Sequence, residues 1–268
     1  MTTTNDPLLR TDPGAVALDA APAGFEGSQA EWNVRVDLAA CYRIIAYYGW
    51  DDLLATHISA RVPDEDDAFL INNFGLMFEE ITASSLVKVN LDGEVLAPLG
   101  GNVNPAGFTI HSAVYQVRDD IGAVIHLHTV DGMAVSTSAE GLLPLTQTAM
   151  TVCGDMAYHD FEGVALDLSE REHLQEHLGL KNNMILHHHG TMSMGDSVGT
   201  AFVRIYQLEQ ACSAQVRALA TRSDLATVDP AAVAKTTDPG REGLVTYGRL
   251  AWPAVRRKVD RLDPSYRD

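Results

Sequence analysis

The sequence predicts an α/β fold around a mixed or mainly antiparallel sheet. Short apolar strands alternate with helical segments along most of the 268 residues, and several strands lie close enough in the chain to be joined as hairpins. Apolar residues make up 46% of the chain, which is enough to bury one large core. We therefore expect one main domain with shorter segments attached at its ends.

The first half of the chain contains two predicted helices and a run of short strands. A helical stripe of apolar residues starts near Gln29 and stops at Gly49. The segments "HISARV" and "AFLINNF" are typical of short strands, and "LVKVNLDGEVLA" predicts a hairpin that turns at Asp92 and Gly93. The segment "GFTIHSAVYQVR" has the spacing of an amphipathic helix.

The second half continues this alternation. The segment "AVIHLH" predicts a buried strand, and Ser169 with Glu172 predicts a capping box ahead of a helix at "HLQEHL". The apolar run "MILHHH" predicts another strand, followed by a turn at Gly190. A long helix is expected from about Val198 to Leu219.

Composition divides the chain into three parts. Residues 1–28 contain Pro, Gly and Asp without an apolar core, which predicts a flexible leader and neither a signal peptide nor a spanning helix. Residues 29–225 carry the predicted domain. Residues 226–268 end in "AWPAVRRKVDRLDPSYRD", where four cations, Arg256, Arg257, Lys258 and Arg261, lie close together after Trp252 on an otherwise acidic chain. This extension is either a solvated helix face or a segment at a subunit interface.

Charge and cysteine content restrict the partners and the compartment. The formal net charge of −17 disfavours nucleic acid and anionic membrane surfaces, because both require a cationic face on the protein. An acidic small-molecule substrate would need a local positive charge, such as a metal ion. Cys41, Cys153 and Cys212 are widely spaced and form no CxxC pair, which favours reduced thiols in a cytoplasmic protein.

Two histidine motifs indicate a metal site. In "VIHLHT", His126 and His128 are two residues apart and would leave the same face of a strand. Alone, this pair is compatible with packed histidines as well as with ligands. In "ILHHHG", alternation along a strand puts His187 and His189 on one face, with His189 at the strand end. Three histidines would suit Zn²⁺, Fe²⁺ or Mn²⁺ with a coordination position left open.

Four segments resemble one known family. They are "GLMFEEITASSLVKVNLDGEVL", "HSAVYQVRDD", "GAVIHLHT" and "ILHHHG", and the chain from about Glu31 to Leu219 resembles the class II aldolase/adducin family. The resemblance implies a three-layer α/β/α sandwich around a mainly antiparallel sheet, assembled as a homotetramer with sites between subunits. It also implies that His126, His128 and His189 hold a divalent metal ion.

The chain departs from the aldolases of that family at the substrate side. Their P-S-S-E sequence is replaced by "NPAG", so Gly107 stands where the family has its acidic residue, and Pro105 and Ala106 replace serines that help to hold phosphate. Their glycine-asparagine step is replaced by Thr56 and His57. A sugar-phosphate substrate is therefore disfavoured. The segments "THISARV", "NPAGFTIHSAVY" and "AYHDFEG" resemble the adducin-like branch, which includes the cytoskeletal adducin head.

Five further residues are candidates for the site or its support. His57 and His159 are candidate acid/base groups, the latter in a loop near the metal. Asn72 and Asn73, with His57, are candidates for substrate binding. His111, on the apolar face of its predicted helix, is interpreted as a structural histidine whose ring is hydrogen-bonded.

These observations predict a metal-dependent lyase that cleaves a C–C bond next to a carbonyl or carboxylate. Loss of the acidic residue favours decarboxylation of a 2-hydroxy, 2-oxo or aromatic acid, because carbon dioxide leaves without removal of a hydroxyl proton. An Fe(II)- and O₂-dependent oxidative decarboxylase, like those of aminocoumarin biosynthesis, is one alternative. A non-catalytic adducin-like scaffold is another, since adducin keeps the histidine motifs.

Overall fold

A seven-stranded sheet forms the centre of the part of the chain that the computed structural model describes, which is residues 19–96 and 101–268 without the side chains of 238–242. The strands are β1 His57–Arg61, β2 Ala68–Ile71, β3 Val87–Asn90, β4 Ala123–Leu127, β5 Met156–His159, β6 Asn183–Leu186 and β7 Gly190–Gly195. Their order is β3-β2-β1-β4-β7-β6-β5. Only β5 and β6 pair in parallel among these strands, so the predicted mainly antiparallel sheet is confirmed.

Helices cover both faces of the sheet. They are α1 Gln29–Tyr48, α2 Pro105–Val117, α3 Val130–Ser136, α4 Gln147–Cys153, α5 Glu170–Leu178, α6 Val198–Ala220 and α7 Pro230–Leu262, with short 3₁₀ helices at Phe78–Glu80 and Pro264–Arg267. One core joins α1 and α6 to sheet residues such as Ile58 and Ile125. The other joins α2 and α5 to residues such as Val124 and Met192. The predicted three-layer α/β/α arrangement is therefore confirmed.

Local sequence explains where the main helices begin and end. The hydroxyl of Ser28 accepts a hydrogen bond from the backbone N–H of Glu31 at the start of α1, and Gly49 ends that helix in the left-handed region at φ 65°. The side chain of Asn104 caps α2 in the same way. The predicted capping box at Ser169 is wrong, because that side chain makes no hydrogen bond to the first turn of α5.

The segment "MILHHH" is not one continuous strand. Strand β6 ends at Leu186, and His187, His188 and His189 form a turn. His188 has a left-handed backbone at φ 58°, and the N–H of His189 donates to the carbonyl oxygen of Leu186 at 3.1 Å. The turn reverses the chain into β7, so Gly190 begins a strand instead of forming the predicted turn.

The two ends of the described chain pack against each other. Residues 1–18 of the predicted leader lie outside the described residues, whereas Asp19 forms ion pairs with Arg256 and Arg267. The indole Nε1 of Trp252 donates to Asp37 at 3.0 Å, and the residue is 8% exposed within its own chain. The apolar surface of Trp252 is therefore buried within its own chain and is not available to a neighbouring subunit.

Among the described residues, no helix is both long enough and apolar enough to span a bilayer.

Candidate metal centre

Three histidines meet where β4 and β7 lie side by side. His126 is on β4, His128 follows the last residue of that strand, and His189 precedes β7. One ring nitrogen from each lies within 4.8 Å of the others, and the described residues contain no second group of three metal-ligating side chains that meets this condition. The Nε2 atoms of His126 and His128 are 2.9 Å apart. The predicted triad is thus brought together by antiparallel pairing of two strands.

Burial keeps two of these rings, those of His126 and His189, neutral. It lowers the pKa of His126 well below its usual value, and the neighbouring His189 and His128 lower that pKa further. Burial also lowers the pKa of His189 to about 4. Neutral imidazoles have lone pairs to offer a cation, so the chemistry of the triad fits a divalent ion such as Zn²⁺, Fe²⁺ or Mn²⁺.

Two further groups orient the rings. The Nδ1 of His126 donates to the carbonyl oxygen of Thr191 at 3.0 Å, which leaves Nε2 bare on the side of the triad. The Nδ1 of His128 is 3.0 Å from Oδ2 of Asp52. Both contacts are of the kind that fixes the tautomer of a ligating histidine and raises its basicity. Asp52 was not among the residues predicted from the sequence.

Gly190 allows the third histidine to come close. A Cβ atom at this position would overlap the carbonyl oxygen of Leu127 and lie 3.0 Å from Cδ2 of His128. The "HG" step of the sequence therefore has a physical reason. Only a residue without a side chain lets the turn of His189 approach the end of β4.

His57 lies beside the triad and is matched to Gly107. On β1, His57 pairs with His126 of β4, and the two ring centroids are 5.0 Å apart. A Cβ atom at Gly107 would lie 2.7 to 3.1 Å from three atoms of the His57 ring. The imidazole therefore occupies the space that a side chain at position 107 would fill. The histidine at position 57 and the glycine at position 107, which both differ from the aldolase pattern, are therefore coupled: the larger side chain at 57 requires the missing side chain at 107.

A row of hydrogen-bonded side chains, His111, Ser59 and Tyr115, supports His57 at its Nδ1 atom. Its Nδ1 is 2.8 Å from Nε2 of His111, whose Nδ1 contacts the hydroxyl of Ser59. The Ser59 hydroxyl is 2.9 Å from the hydroxyl of Tyr115. Burial lowers the pKa of His111 to about 3, so the ring is neutral. His111 is hydrogen-bonded at both nitrogens, as predicted, and it also orients His57, which the sequence did not reveal.

The two candidate asparagines face opposite sides of the sheet. Asn72 is buried with its Oδ1 accepting from the hydroxyl of Tyr42 on α1, the face opposite to His57. This placement disfavours its predicted role in substrate binding. Asn73 lies opposite His57 when the register of β1 and β2 is extended by two residues. Its Oδ1 accepts from the N–H of Asn102, so it supports the loop that leads into α2.

His159 belongs to a neighbouring cluster and not to the triad. His159 is the last residue of β5, so the predicted loop position is wrong. Its Nδ1 is 2.9 Å from Nδ1 of His177, and its Nε2 is 3.4 Å from Oε1 of Glu170. Both partners are on α5. The ring therefore packs between strand and helix.

Glu209 is a buried carboxyl group behind the triad that the sequence did not single out. It is on α6, is 2% exposed, and accepts hydrogen bonds from the hydroxyls of Thr129 and Thr191. Burial raises the pKa of Glu209 to about 7 against the opposing effect of the two hydroxyls. A threonine after each histidine motif, in "HLHT" and "HHHGT", was the available sequence signal.

Fold and site together define a class of α/β/α proteins in which an antiparallel sheet presents three histidines at the ends of adjacent strands. Residues 36–216 match the model of the Class II Aldolase and Adducin N-terminal domain. The chain therefore belongs to the class II aldolase and adducin family, as the sequence motifs indicated.

Three similar proteins show the range of the family. A Caulobacter vibrioides protein named "Putative aldolase class 2 protein" is 49% identical over 90% of this chain and 94% of its own. Alpha-adducin of Mus musculus is 45% identical over 87% of this chain but only 34% of its own length. The structure of L-fuculose 1-phosphate aldolase from Glaciozyma antarctica superposes with a TM-score of 0.79 at 28% identity, covering 92% of this chain and 97% of that one.

Proposed function

We propose that the protein is a metal-dependent lyase that breaks a C–C bond next to a carbonyl or carboxylate, most simply by decarboxylating a 2-hydroxy, 2-oxo or aromatic acid. His126, His128 and His189 are assigned as ligands of Fe²⁺, Zn²⁺ or Mn²⁺. The observation that carries the proposal is the exchange at positions 57 and 107. It puts an imidazole, in place of a carboxylate, next to three convergent histidine nitrogens.

The acidic substrate would be held at the histidine triad. A divalent ion bound there would supply a Lewis acid for the carboxylate and carbonyl oxygens of the substrate. The neutral rings of His126 and His189 add no positive charge of their own, so the site depends on the ion for its attraction to an acid. Water is restricted because His126 and His57 are buried.

His57 is assigned the proton transfer. Loss of carbon dioxide leaves a carbon atom that must gain a proton, and Nε2 is the ring atom of His57 that His111 does not engage. The contacts allow donation from Tyr115 to Ser59, from Ser59 to His111, and from His111 Nε2–H to His57 Nδ1, and we assign this direction to the row. In that arrangement the proton of His57 is on Nε2 and faces the substrate. It passes to the carbon atom as carbon dioxide leaves, and water that enters after product release returns a proton to the ring, so each turnover consumes one proton from solvent.

The entry to α2 is poorly suited to phosphate. Pro105 has no N–H group, and the N–H of Ala106 already donates to the side chain of Asn104 at 3.1 Å. Neither residue carries a hydroxyl. A helix N-terminus whose donors are missing or engaged holds phosphate weakly, which supports a carboxylic acid substrate over a sugar phosphate.

Carbon dioxide release tests this proposal. Anaerobically purified protein would be loaded separately with Fe²⁺, Zn²⁺ and Mn²⁺ and given a panel of 2-oxo, 2-hydroxy and aromatic acids. We expect release from at least one acid, lost in His57→Asn and retained in His187→Gln, whose ring contacts the Ser136 carbonyl. Oxygen consumption coupled to release would identify the oxidative variant. No release from any acid with any metal would overturn the proposal.

A non-catalytic scaffold is the second candidate. It is favoured by the 45% identity to alpha-adducin over 87% of this chain. In that case the histidines would only hold the fold together, and metal would raise the melting temperature without any acid being turned over. The two candidates therefore differ in the same carbon dioxide assay.

The proposed working unit is a homotetramer with each metal site near a subunit boundary, to which the extension 226–268 contributes. Light scattering of the full chain is expected to give four times the monomer mass of 29.0 kDa. A monomer mass at micromolar concentration would contradict a shared site.

A further inference from the structure

We propose that Glu209 is a positioning residue that sets the affinity of the histidine triad for a divalent ion, by holding Thr129 and Thr191 at the ends of the two strands that present the ligands. This inference rests on the proposed metal site. It concerns the face of the sheet opposite to the histidine rings.

Glu209 reaches the site from behind the sheet. Thr191 alternates with Met192, which packs in the core beneath α2, so the Thr191 side chain points to the α6 face. His126 is paired with Met192 and has its ring on the α2 face. Glu209 on α6 therefore touches no ring of the triad and acts through the backbone of the strands.

The two carboxylate oxygens are divided between the two strands. Thr191 donates its hydroxyl to Oε1, and Thr129 donates its hydroxyl to Oε2. The Thr129 oxygen also accepts from the N–H of Gly132 at 3.0 Å, so its own hydrogen is free to point at the carboxylate. One buried group thus ties together the end of β4, the start of β7 and the first turn of α3.

Each threonine is linked directly to one of the metal-ligating histidines, by a hydrogen bond or by a peptide bond. The carbonyl oxygen of Thr191 accepts the hydrogen bond that fixes the tautomer of His126, and Thr129 is bonded directly to His128. Residues Leu127 and Thr191 are partners in the β4–β7 pair. A shift of either threonine would change the distance between ligand nitrogens that must converge on one ion.

Gly132 lets helix α3 come close to the carboxylate and both threonines. A Cβ atom at Gly132 would lie 2.7 Å from Oγ1 of Thr129, 3.0 Å from Cγ2 of Thr191 and 3.2 Å from Oε2 of Glu209. Helix α3 therefore packs directly onto the three groups. A carboxyl group that is 2% exposed is costly to bury, and its two hydrogen bonds offset part of that cost.

Metal affinity of the full-length protein distinguishes positioning from simple structural support. Glu209→Leu removes both hydrogen bonds, and we expect its affinity for Co²⁺ and Zn²⁺ to fall roughly 10- to 100-fold, the usual effect of losing a group that supports metal ligands. The visible absorption of bound Co²⁺ should also change, because the ligand geometry changes. Glu209→Gln should retain most of the affinity, since an amide can accept from one hydroxyl and donate to the other.

Glu31 provides a matched control. It is a second buried carboxylate, on α1, that binds Arg35 and Lys88 near the β3 edge of the sheet. Glu31→Leu should lower the melting temperature without changing Co²⁺ affinity. If Glu209→Leu does not fold, Thr191→Val removes one hydrogen bond while keeping the branched shape and the carbonyl group, and its affinity decides the question.

The outcomes separate this inference from the proposed function. Wild-type affinity and an unchanged Co²⁺ spectrum in Glu209→Leu or Thr191→Val, with only a lower melting temperature, would overturn the positioning role and leave the metal site intact. Failure of the wild-type protein to bind Co²⁺ or Zn²⁺ would overturn both.

Discussion

Two histidine clusters differ in what their ring nitrogens face. In the triad, ring nitrogens of His126, His128 and His189 converge on one another. Among the residues that the structure describes, Asp52 alone brings a carboxylate to them, at the outer nitrogen of His128. The second cluster lies between β5 and α5, where carboxylates accompany the histidines. Its members are His159, His173, His177, Glu162 and Glu170.

The difference teaches that histidine content alone does not identify a metal site. Burial lowers the pKa of His189 to about 4, whereas the hydrogen bond with the Glu162 carboxylate raises the pKa of His173. Neutral nitrogens that share one small volume can accept a cation in common. A histidine that faces a carboxylate already has a partner, so we expect the second cluster to respond to pH and the triad to metal.

The largest expected effect is loss of metal from the triad alone. His128→Ala should remove most of the bound metal and leave a folded protein, because two imidazoles hold a divalent ion far less tightly than three. His177→Ala, in the second cluster, should keep the wild-type metal content. Elemental analysis of both variants checks this, and stoichiometric metal in His128→Ala would show that the ligand assignment is wrong.

A smaller but still large effect is expected at Gly107. In Gly107→Ala the new Cβ would lie 2.7 Å from the His57 ring and must displace it. Turnover of the acid substrate should fall by roughly 10²- to 10⁴-fold, the usual contribution of a general acid or base. Metal content should not change, and Ala106→Gly on the same helical turn serves as the control. Full activity in Gly107→Ala would remove His57 from the reaction.

Sugar phosphates should not be processed. The missing donors at Pro105 and Ala106 predict no retro-aldol product from fuculose 1-phosphate or ribulose 5-phosphate under conditions where the fuculose phosphate aldolase is active. That aldolase is a suitable positive control, because its structure superposes on 92% of this chain with a TM-score of 0.79. Turnover at about 1 s⁻¹ or faster, an ordinary enzymatic rate, would contradict the substrate assignment.

The smallest expected effect is a pH dependence of stability in the second cluster. Glu162 raises the pKa of His173, so this contact stabilises the fold below the ordinary histidine pKa and its contribution is lost as pH rises through the raised value. His173 in turn lowers the pKa of Glu162, so the contribution is also lost in strong acid. His173→Ala should lower the melting temperature slightly near pH 6 and not near pH 8, where the ordinary histidine is neutral. An equal difference at both pH values would contradict this.

Strong local patterns made much of the fold predictable. The apolar stripe ending at Gly49 and the run from Val198 gave the correct bounds of α1 and nearly those of α6. The strand alternation that brought His126 and His128 to one face was also sufficient. The same alternation was wrong at "HHH". The left-handed backbone of His188 forms a turn there, and the spacing of apolar residues does not reveal such a turn.

Contacts between distant elements were not predictable. Glu209 is one carboxylate in a helix of mostly apolar and small residues, and its importance depends on two threonines from other elements. The support of His57 by His111 likewise requires the packing of α2 on β1. Asn72 and Asn73 are neighbours in sequence, but the pleat of the sheet turns them to opposite faces. Asn72 faces α1, whereas Asn73 is on the same side as His57.

The measurement that tests the central claim most directly is metal K-edge X-ray absorption of the anaerobically purified full-length protein. The account predicts one metal ion per chain with three imidazole nitrogens at about 2.0–2.2 Å. Metal bound without imidazole ligands, or less than one ion per chain at saturating metal, would contradict the assignment of His126, His128 and His189.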